Sequence, residues 1–385
     1  MTIMEVIMHF FIDKNQLIDA IQHVNKAVST KTTIPILTGI KFDLASDGLV
    51  LTGSDSDISI QVFVPITKND QEIVKVIKPG KIVLPAKYIV DIVKKLPGSE
   101  IEFSLVDTFS VLIRSASTEF KLNGYDPEEY PELPQIEEDQ VLTINSDLLK
   151  SMIRQTIFAV STLENRPILT GVLWKLNQGK LSFVSTDSHR LSMREANVEE
   201  NGLTFDNVVV PGKTLQELTK ILEDDSIPVH IVVTDNQILV KMENVLFYSR
   251  LLDGTYPDIS RIIPEKGKTV MTVTKQSLLD AIERAALIAK NDKTNIVKLS
   301  ILEELLLEIT SNSPEVGKVT EHIKVNQLDG EALKISFNAK YTLEALKAMD
   351  SQEIKIEFTG ALSPFVLKPT DHDRILHLIL PVRTF

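Results

Sequence analysis

Residues 17–39 read LIDAIQHVNKAVSTKTTIPILTG, and residues 149–171 read LKSMIRQTIFAVSTLENRPILTG. The strings AVST and PILTG recur in both stretches at one offset of 132 residues, from position 17 to position 149. A third, weaker copy begins near Val270 and contains LLDAIERAALIAK at 278–290. Because a constant offset between similar segments indicates a duplicated structural unit, the sequence predicts three tandem copies of one domain.

The joints between the copies are expected in two segments that are rich in proline and charge. These are PEEYPELPQIEED at 127–139 and PDISRIIPEKGK at 257–268, and neither has helical or strand periodicity. A chain of 385 residues also exceeds what one hydrophobic core usually serves. We therefore predict three domains of about 130 residues each, at 1–137, 138–266 and 267–385.

Each copy should combine two helices with antiparallel strands. Alternating, β-branched runs such as GLVLTGSDSDISIQVFV at 48–64 predict strands. Each copy opens with a helical window, and a second helical window follows at 85–96, 211–222 and 338–349. The predicted fold class is α+β, with two helices on one face of antiparallel sheets in each of three tandem copies, six helices in all.

The composition excludes several classes of function. Lys and Arg number 41 against 53 Asp and Glu, so the net charge of −12 argues on its face against a protein coated with nucleic acid or anionic lipid. The absence of cysteine excludes disulfides, thiolate nucleophiles and cysteine-ligated metal. The first residues lack the basic start of a secretion signal, and no apolar run reaches the roughly 18 residues of a membrane span. We predict a cytoplasmic protein without membrane contact, whose start is either Met1 or Met8.

No enzyme motif survives inspection. The string VVVPGKT at 208–214 lacks the first glycine of a phosphate-binding loop. TDSHR at 186–190 offers hydroxyl, carboxylate and imidazole groups, but neighbouring residues point apart, whereas a triad converges from different parts of a fold. A hydrolase centred on Asp187 and His189 is therefore a distant alternative. The acids and histidine at 371–373 are interpreted as a solvated loop, so we expect no catalytic residue, no metal and no cofactor.

A lysine pattern in the second helices is hidden by the total charge. In each copy two lysines lie seven residues apart, which is two helical turns, and both should project from the face opposite the core. The pairs are Lys87 and Lys94, Lys213 and Lys220, and Lys340 and Lys347. Three copies of the same pair favour a surface that faces a polyanion. Single lysines suit phosphates that are contacted without reading bases.

These lysines also have an alternative interpretation without DNA. Each pair has an acid four residues after its first lysine, namely Asp91, Glu217 and Glu344, which could form ordinary ion pairs on a solvated helix. The chain would then be an acidic three-repeat scaffold that binds peptides and never DNA.

Four motifs together carry a family resemblance. They are PILTG at 35–39, TDSHRL at 186–191, DGTYPD at 253–258 followed by Arg261, and LILPVR at 378–383. With the threefold duplication, they make the chain from about Met8 to Phe385 resemble the bacterial DNA polymerase III beta subunit, the replicative sliding clamp. The resemblance implies a non-enzymatic processivity factor that assembles head to tail into a homodimeric ring, with helices lining a hole for duplex DNA.

The resemblance also implies two functional surfaces. The DNA-facing set would comprise the six paired lysines together with Lys31 and Arg166. A hydrophobic pocket would take a short linear motif from DNA polymerase III alpha, from clamp-loader subunits and from other replication and repair proteins. The implied pocket residues are Leu169, Thr186, His189, Arg190, Leu191, Pro257, Arg261, Ile262, Leu378, Ile379, Leu380, Pro381, Val382 and Arg383.

The resemblance further implies a ring interface and shows two departures. Phe120 and Leu122 would lie on an edge strand of the first copy and face Leu287 and Ile288 of the partner; the alternation in TEFKL at 118–122 favours such a strand. Ser188 stands where well-known members have glycine. The chain ends in Val-Arg-Thr-Phe where those members end in Met-Arg-Leu, which leaves the motif preference of the pocket open.

Overall fold

The computed structural model describes residues 7–29, 32–134, 136, 140–289, 295–302 and 305–383. Over these ranges it contains six α-helices, two in each predicted copy. They are α1 (Lys14–Val24), α2 (Ala86–Lys95), α3 (Ser146–Arg154), α4 (Gly212–Thr219), α5 (Lys275–Ala289) and α6 (Ala339–Ala348). Among the described residues, no helix is both long and apolar enough to cross a membrane.

The strands of the described ranges pair antiparallel throughout. The first copy contains β1 (Met8–Asp13), β2 (Gly39–Ala45), β3 (Gly48–Ser54), β4 (Ile58–Pro65), β5 (Thr67–Lys68), β6 (Gln71–Glu72), β7 (Val74–Lys78), β8 (Gly80–Pro85), β9 (Glu100–Asp107), β10 (Ser110–Ser115) and β11 (Thr118–Asn123). The second contains β12 (Leu142–Asn145), β13 (Gly171–Asn177), β14 (Lys180–Thr186), β15 (Arg190–Asn197), β16 (Phe205–Pro211), β17 (Pro228–Val233), β18 (Gln237–Met242) and β19 (Val245–Arg250). The third contains β20 (Thr269–Thr274), β21 (Ile296–Ile301), β22 (Leu306–Ser313), β23 (Gly317–Lys324), β24 (Gln327–Asp329), β25 (Lys334–Asn338), β26 (Glu353–Phe358), β27 (Phe365–Pro369) and β28 (Ile375–Ile379).

Two compact units make up the chain, and the central copy contributes to both. The first unit contains residues 1–146 and 220–251, and the second contains residues 147–219 and 252–385. The central copy is thus divided between its neighbours.

In the first unit, one sheet runs without a break from the first copy into the central copy. Its order is β12-β17-β18-β19-β4-β3-β2-β8, and the joining pair is β19 with β4, where Phe247 lies opposite Ile60. A second sheet has the order β11-β10-β9-β1-β7. Helix α1 packs against strands of both sheets and against α2, and Asp13 caps its first turn by accepting from the backbone N–H groups of Asn15 and Gln16.

The second unit repeats this plan. Its nine-stranded sheet has the order β16-β13-β14-β15-β28-β27-β26-β20-β24, and the joining pair is β15 with β28, where Leu191 lies opposite Leu378. A four-stranded sheet has the order β23-β22-β21-β25. Helix α5 packs on both sheets and on α6. Because buried strands continue from one copy into the next, the copies share hydrophobic surface rather than meeting through polar linkers.

The recurring PILTG string has a structural explanation. Pro35–Thr38 and Pro167–Thr170 each form one turn of 3₁₀ helix that leads directly into a strand. The glycine that follows lies against a neighbouring strand. A Cβ at Gly39 would lie 2.5 Å from Val83 Cγ1, and one at Gly171 would lie 2.7 Å from Val209 Cγ1. Only glycine permits this approach, so the turn and its glycine are kept together.

One helix is shorter than predicted. The sequence predicts a helix over 211–222, whereas α4 ends at Thr219. Thr219 Oγ1 donates to the Gln216 carbonyl oxygen at 2.8 Å, a local bond that competes with continued helix. Ile221 and Leu222 beyond it are only 6% and 3% exposed, so burial of these side chains decides the path of the chain. The prediction that Lys220 lies on this helix is therefore wrong.

Candidate functional sites

Five of the six paired lysines project from helices, as predicted. Lys87 and Lys94 on α2, Lys213 on α4, and Lys340 and Lys347 on α6 are all exposed. The opposite face of each helix is buried; on α2 it includes Ile89 and Val93, and on α6 it includes Ala345 and Leu346. Lys220 is also exposed, but in the turn after α4.

The acid contacts of the lysines on α2 and α6 differ from one lysine to the next. Lys340 Nζ lies 4.0 Å from Glu344 Oε1, and this is the predicted pairing at four residues. Lys347 instead pairs with Glu283 of α5 at 2.7 Å. In the described part of the chain Lys87 forms no ion pair, and its ammonium lies 5.5 Å from the centre of the Tyr88 ring. Exposed pairs contribute about 0–1 kcal/mol, so Lys87, Lys340 and Lys347 stay available to an anion.

The two remaining cations of the predicted set are placed differently. Arg166 is exposed and immediately precedes the 3₁₀ turn Pro167–Thr170. Lys31 lies outside the described residues.

The TDSHRL segment forms a tight turn between β14 and β15. Asp187 Oδ1 accepts from the backbone N–H groups of His189 at 2.9 Å and Arg190 at 3.0 Å. Ser188 has φ 75°, in the left-handed region. The first copy contains the same turn, because Asp55 Oδ1 accepts from Asp57 and Ile58 and Ser56 has φ 82°. The position of Ser188 thus demands the conformation that glycine adopts most easily.

Arg190, which the resemblance implies as a pocket residue, is bound by two carboxylates and a backbone carbonyl. Its Nε donates to Asp187 Oδ2 at 3.0 Å, its Nη2 donates to the Phe158 carbonyl oxygen at 2.5 Å, and its Nη1 pairs with Glu344. Its side chain is only 8% exposed. Two carboxylates therefore neutralise the guanidinium, so Arg190 offers no free charge to solvent.

Aromatic rings enclose this guanidinium. The Tyr341 ring centre lies 4.6 Å from Arg190 Cζ, and the Phe158 ring centre lies 5.4 Å from it. The His189 ring stacks on Tyr341 at 6.3 Å with an angle of 16° between the planes. Burial and the nearby Asp187 carboxylate raise the pKa of the Tyr341 hydroxyl above its usual value, so this ring is neutral.

A second tyrosine fixes the end of β14. Tyr256 Oη accepts from the Thr186 backbone N–H at 3.0 Å, and Thr186 Oγ1 donates to the Arg190 carbonyl oxygen at 2.6 Å. Burial raises the pKa of the Tyr256 hydroxyl. Tyr256 belongs to a buried apolar cluster with Leu169, Leu191 and Leu378. These three predicted pocket residues, at 3%, 1% and 2% exposure, form the floor beneath the surface.

The C-terminal segment runs beside the TDSHRL turn. The Leu380 backbone N–H donates to the His189 carbonyl oxygen at 2.9 Å, and the Val382 N–H donates to the Ser336 carbonyl oxygen at 2.7 Å. Ile379 is buried, Leu380 is 37% exposed, Pro381 and Val382 are half-buried, and Arg383 is exposed. Thr384 and Phe385 lie outside the described residues. An apolar edge with open side chains therefore adjoins the Arg190 network.

The remaining predicted pocket residues lie on an exposed segment. Pro257, Arg261 and Ile262 are all exposed, and Ile262 is 46% exposed. Arg261 Nε lies 3.7 Å from Asp258 Oδ2. Ile259 and Ile263 on the same segment pack on the cluster that contains Leu191. The segment therefore brings an arginine and an exposed isoleucine to the border of the buried floor.

The sequence interpretation missed four residues of this site. Phe158, Tyr341 and Glu344 contact Arg190 directly, and His377 lies beneath them at 1% exposure, with its Nδ1 2.9 Å from Ser192 Oγ. Burial, and secondarily Arg190, lower the pKa of His377 to about 3. The repeated Lys-Tyr of LPAKY and FNAKY was the available signal for Tyr341.

The geometry of the described residues supports neither a hydrolase at Asp187 and His189 nor a metal site. The Asp187 oxygens are occupied by backbone N–H groups and by Arg190, while the His189 ring faces Tyr341. Thr186 Oγ1 donates to a backbone carbonyl, so its proton is engaged. Within the described ranges, no group of three or more acids and histidines could hold a metal ion.

The predicted interface residues lie on exposed elements. Strand β11 is an edge strand, as predicted, with Phe120 38% exposed and Leu122 half-buried. In the other unit, Leu287 is 64% exposed and Ile288 half-buried near the end of α5. Strand β23 forms an edge of the four-stranded sheet there. Open edges of this kind can pair with another chain.

Three family models match the chain in tandem. They describe the N-terminal, central and C-terminal domains of the DNA polymerase III beta subunit and match residues 8–134, 143–258 and 260–383. A threefold α+β repeat with antiparallel sheets and two helices in each copy is the architecture of a DNA sliding clamp. The chain belongs to the DNA polymerase III beta subunit family.

Relatives agree along the whole length. The beta sliding clamps of Halalkalibacterium halodurans and Bacillus subtilis are each 51% identical over 98% of this chain and 100% of their own. The crystal structure of the Bacillus subtilis DNA polymerase sliding clamp superposes with a TM-score of 0.96 at 51% identity, covering 98% of this chain and 100% of that one. A Pseudomonas aeruginosa sliding clamp bound to griselimycin is 27% identical, with a TM-score of 0.91 over the same shares. This chain is a non-catalytic processivity clamp of DNA replication.

Proposed function

We propose that two copies of this chain close head to tail into a ring around duplex DNA and tether the replicative polymerase to its template. The observation that carries the proposal is the repeat itself: each internal joint continues one sheet from copy to copy, through β4 with β19 and through β15 with β28. The first copy leaves the edge β11 open, and the third leaves the edge β23 open. Pairing these edges between two protomers would repeat the internal joint.

The interface would bury the apolar side chains that the chain leaves exposed on these elements. Phe120 and Leu122 of one protomer would contact Leu287 and Ile288 of its partner. Full burial of a large apolar side chain contributes about 1.5–3 kcal/mol, so two such contact sets in a ring favour a stable dimer. We divide each protomer into the domains 1–137, 138–266 and 267–385, and the three tandem family matches support a division into three.

Duplex DNA would be contacted without sequence preference. The proposed DNA-facing residues are Lys31, Lys87, Lys94, Arg166, Lys213, Lys220, Lys340 and Lys347. Lysines that pair with phosphates release counterions, and each contact adds about −0.9 to the slope of log affinity against log salt. Such attraction is weak and screened, so the ring can slide while its closed topology prevents sideways escape.

Partners would dock in the pocket around Arg190. The proposed pocket residues are those placed above, from Leu169 and the TDSHRL turn through Pro257, Arg261 and Ile262 to the C-terminal segment Leu378 to Arg383. A short peptide with Leu and Phe anchors fits an apolar edge bordered by polar groups. We propose as partners DNA polymerase III alpha, clamp-loader subunits and other replication and repair proteins that carry such a motif. The protein would act in the cytoplasm at the nucleoid, without metal or cofactor.

The mass of the native protein tests the ring directly. A native mass spectrum should show a species of twice the 43.1 kDa chain mass at low micromolar concentration. Phe120→Asp should shift the population to the single-chain mass, because a charge would be buried in an apolar contact. Leu362→Asp is the control, since Leu362 is also an exposed apolar residue, at 66% exposure against 38% for Phe120, but lies on no proposed interface. A wild-type protein that is monomeric under these conditions would contradict the proposal.

A further inference from the structure

Glu344 belongs to both functional surfaces. On α6 it lies four residues after Lys340 and three before Lys347, the two lysines of the proposed DNA row. Its carboxylate lies 4.0 Å from Lys340 Nζ through Oε1, and its Oε2 pairs with Arg190 Nη1. Lys347 is engaged elsewhere, by Glu283. One carboxylate therefore stands between a DNA-facing lysine and the central cation of the peptide pocket.

Arg190 depends on this carboxylate more than Lys340 does. The Arg190 side chain is 8% exposed, whereas that of Lys340 is 65% exposed. A buried guanidinium that loses one of its two carboxylates loses a charge-assisted hydrogen bond and is left with Asp187 as its single counter-charge, in a site shielded from water where each such bond is strong. Without Glu344, the remaining partners of Arg190 are Asp187, the Phe158 carbonyl oxygen and two aromatic rings.

A displaced Arg190 would disturb the pocket around it. The Arg190 carbonyl oxygen accepts from Thr186 Oγ1, and residue 190 pairs with Ile379 across the joining strands. The Tyr341 ring lies on the guanidinium and stacks with the His189 ring. A shift of Arg190 would therefore disturb both the TDSHRL turn and the C-terminal strand, which border the proposed peptide site.

We propose that Glu344 is a positioning residue for peptide docking that acts through Arg190, and that through Lys340 it couples docking to DNA in the ring. The inference rests on the proposed function. Lys340 and Arg190 both interact with the Glu344 carboxylate. When a DNA phosphate attracts Lys340 away from Glu344, this carboxylate interacts with Arg190 alone. DNA should therefore tighten peptide binding, and by linkage the peptide should tighten the hold on DNA by the same factor. The Lys340–Glu344 contact is exposed, and exposed ion pairs are weak, so the expected change in peptide affinity is about two- to fivefold.

The positioning role is tested by the affinity of a fluorescein-labelled peptide with one Leu and one Phe anchor, measured by anisotropy. Glu344→Gln should weaken binding by roughly three- to tenfold. Glu283→Gln is the matched control, because it removes an acid beside Lys347 that does not contact Arg190, and it should leave the affinity unchanged. In an Arg190→Ala background, Glu344→Gln should have no further effect. An equal loss from Glu344→Gln in both backgrounds, or no loss in either, would overturn the positioning role.

The coupling is tested by comparing peptide affinity for free protein with that for protein closed on a nicked circular duplex. The wild type should bind about two- to fivefold more tightly on DNA, and Lys340→Gln should show no difference. Equal wild-type affinities would overturn the coupling. Unchanged peptide binding by Arg190→Ala would reject the proposed pocket itself. Loss of binding with Arg190→Ala but not with Glu344→Gln would reject only the role of Glu344.

Discussion

At the scale of single residues, the turn at 186–191 shows what a sequence reveals and what it conceals. Asp187 belongs to the distant hydrolase alternative, yet its oxygens fix the turn and hold Arg190. The matching turn at Asp55 could be recognised from the repeat alone. The contact between Arg190 and Glu344 could not, because 154 residues separate them and no local pattern links them.

The buried His377 gives a pH dependence that can be measured. Its pKa is lowered to about 3 in the folded chain, so the unfolded chain, with a value near 6.5, binds its proton first as the pH falls. Stability from this group is complete above pH 6.5 and is lost as the pH falls towards 3, by about 2 kcal/mol at pH 5. His377→Gln should therefore lose less stability than wild type between pH 7.5 and pH 5, as measured by urea unfolding.

The control for this prediction is His230→Gln, because His230 is exposed. It should keep the wild-type loss between the two pH values. If the His377 variant lost as much stability as wild type over the same interval, neutral burial of His377 would not be a source of the pH dependence.

At the scale of elements, sequence periodicity predicts which helices exist better than where they end. The windows at 85–96 and 338–349 match α2 and α6 within one residue at each end. The window at 211–222 exceeds α4 because Ile221 and Leu222, which continue the apolar pattern, are buried outside the helix. The spacing of apolar residues indicates which side chains are buried, and buried side chains continue beyond the last helical turn.

The lysine rows predict a specific salt dependence. Reversing Lys94, Lys220 and Lys347 to Glu should weaken loading on DNA and lower the magnitude of the salt slope by about 0.9 for each lost contact. The native mass should remain that of the dimer. Binding to a duplex measured by anisotropy over a series of salt concentrations gives both quantities.

A matched triple reversal isolates position from total charge. Lys68, Lys175 and Lys298 are exposed lysines on strands, outside the helix rows. Their reversal changes the net charge by the same amount and should leave the salt slope near the wild-type value. Equal effects of the two triples would mean that total charge, and not the position of the lysines, governs DNA binding, whereas no effect of the first triple would favour the acidic scaffold that never meets DNA.

The C-terminal segment is the element on which peptide docking depends most. Removal of 381–385 eliminates the Val382 bond to Ser336 and one apolar edge of the pocket. Peptide affinity should fall at least tenfold, because about 1.4 kcal/mol or more of apolar contact is lost. Val382→Asp should act in the same direction with the fold intact, and Leu362→Asp should not. If both the deletion of 381–385 and Val382→Asp left peptide binding unchanged, the docking site would lie elsewhere.

At the scale of the whole molecule, placement of charge outweighs its sum. The net charge of −12 argues against a nucleic-acid partner when it is averaged over the chain. The same sequence repeats an exposed lysine pair in each of three copies, and this placement is the basis of the proposed DNA-facing surface. The duplication could be predicted from AVST and PILTG alone. The division of the central copy between two compact units could not, because it depends on strand pairings between distant segments.

The most direct test of the ring is retention on circular DNA. Protein assembled by a clamp loader on a nicked circular duplex should remain bound through gel filtration at high salt, because screening removes electrostatic attraction but leaves the closed ring in place. A single restriction cut that linearises the circle should then release it from the ends. Equal loss from the circular and the linear DNA would contradict the account.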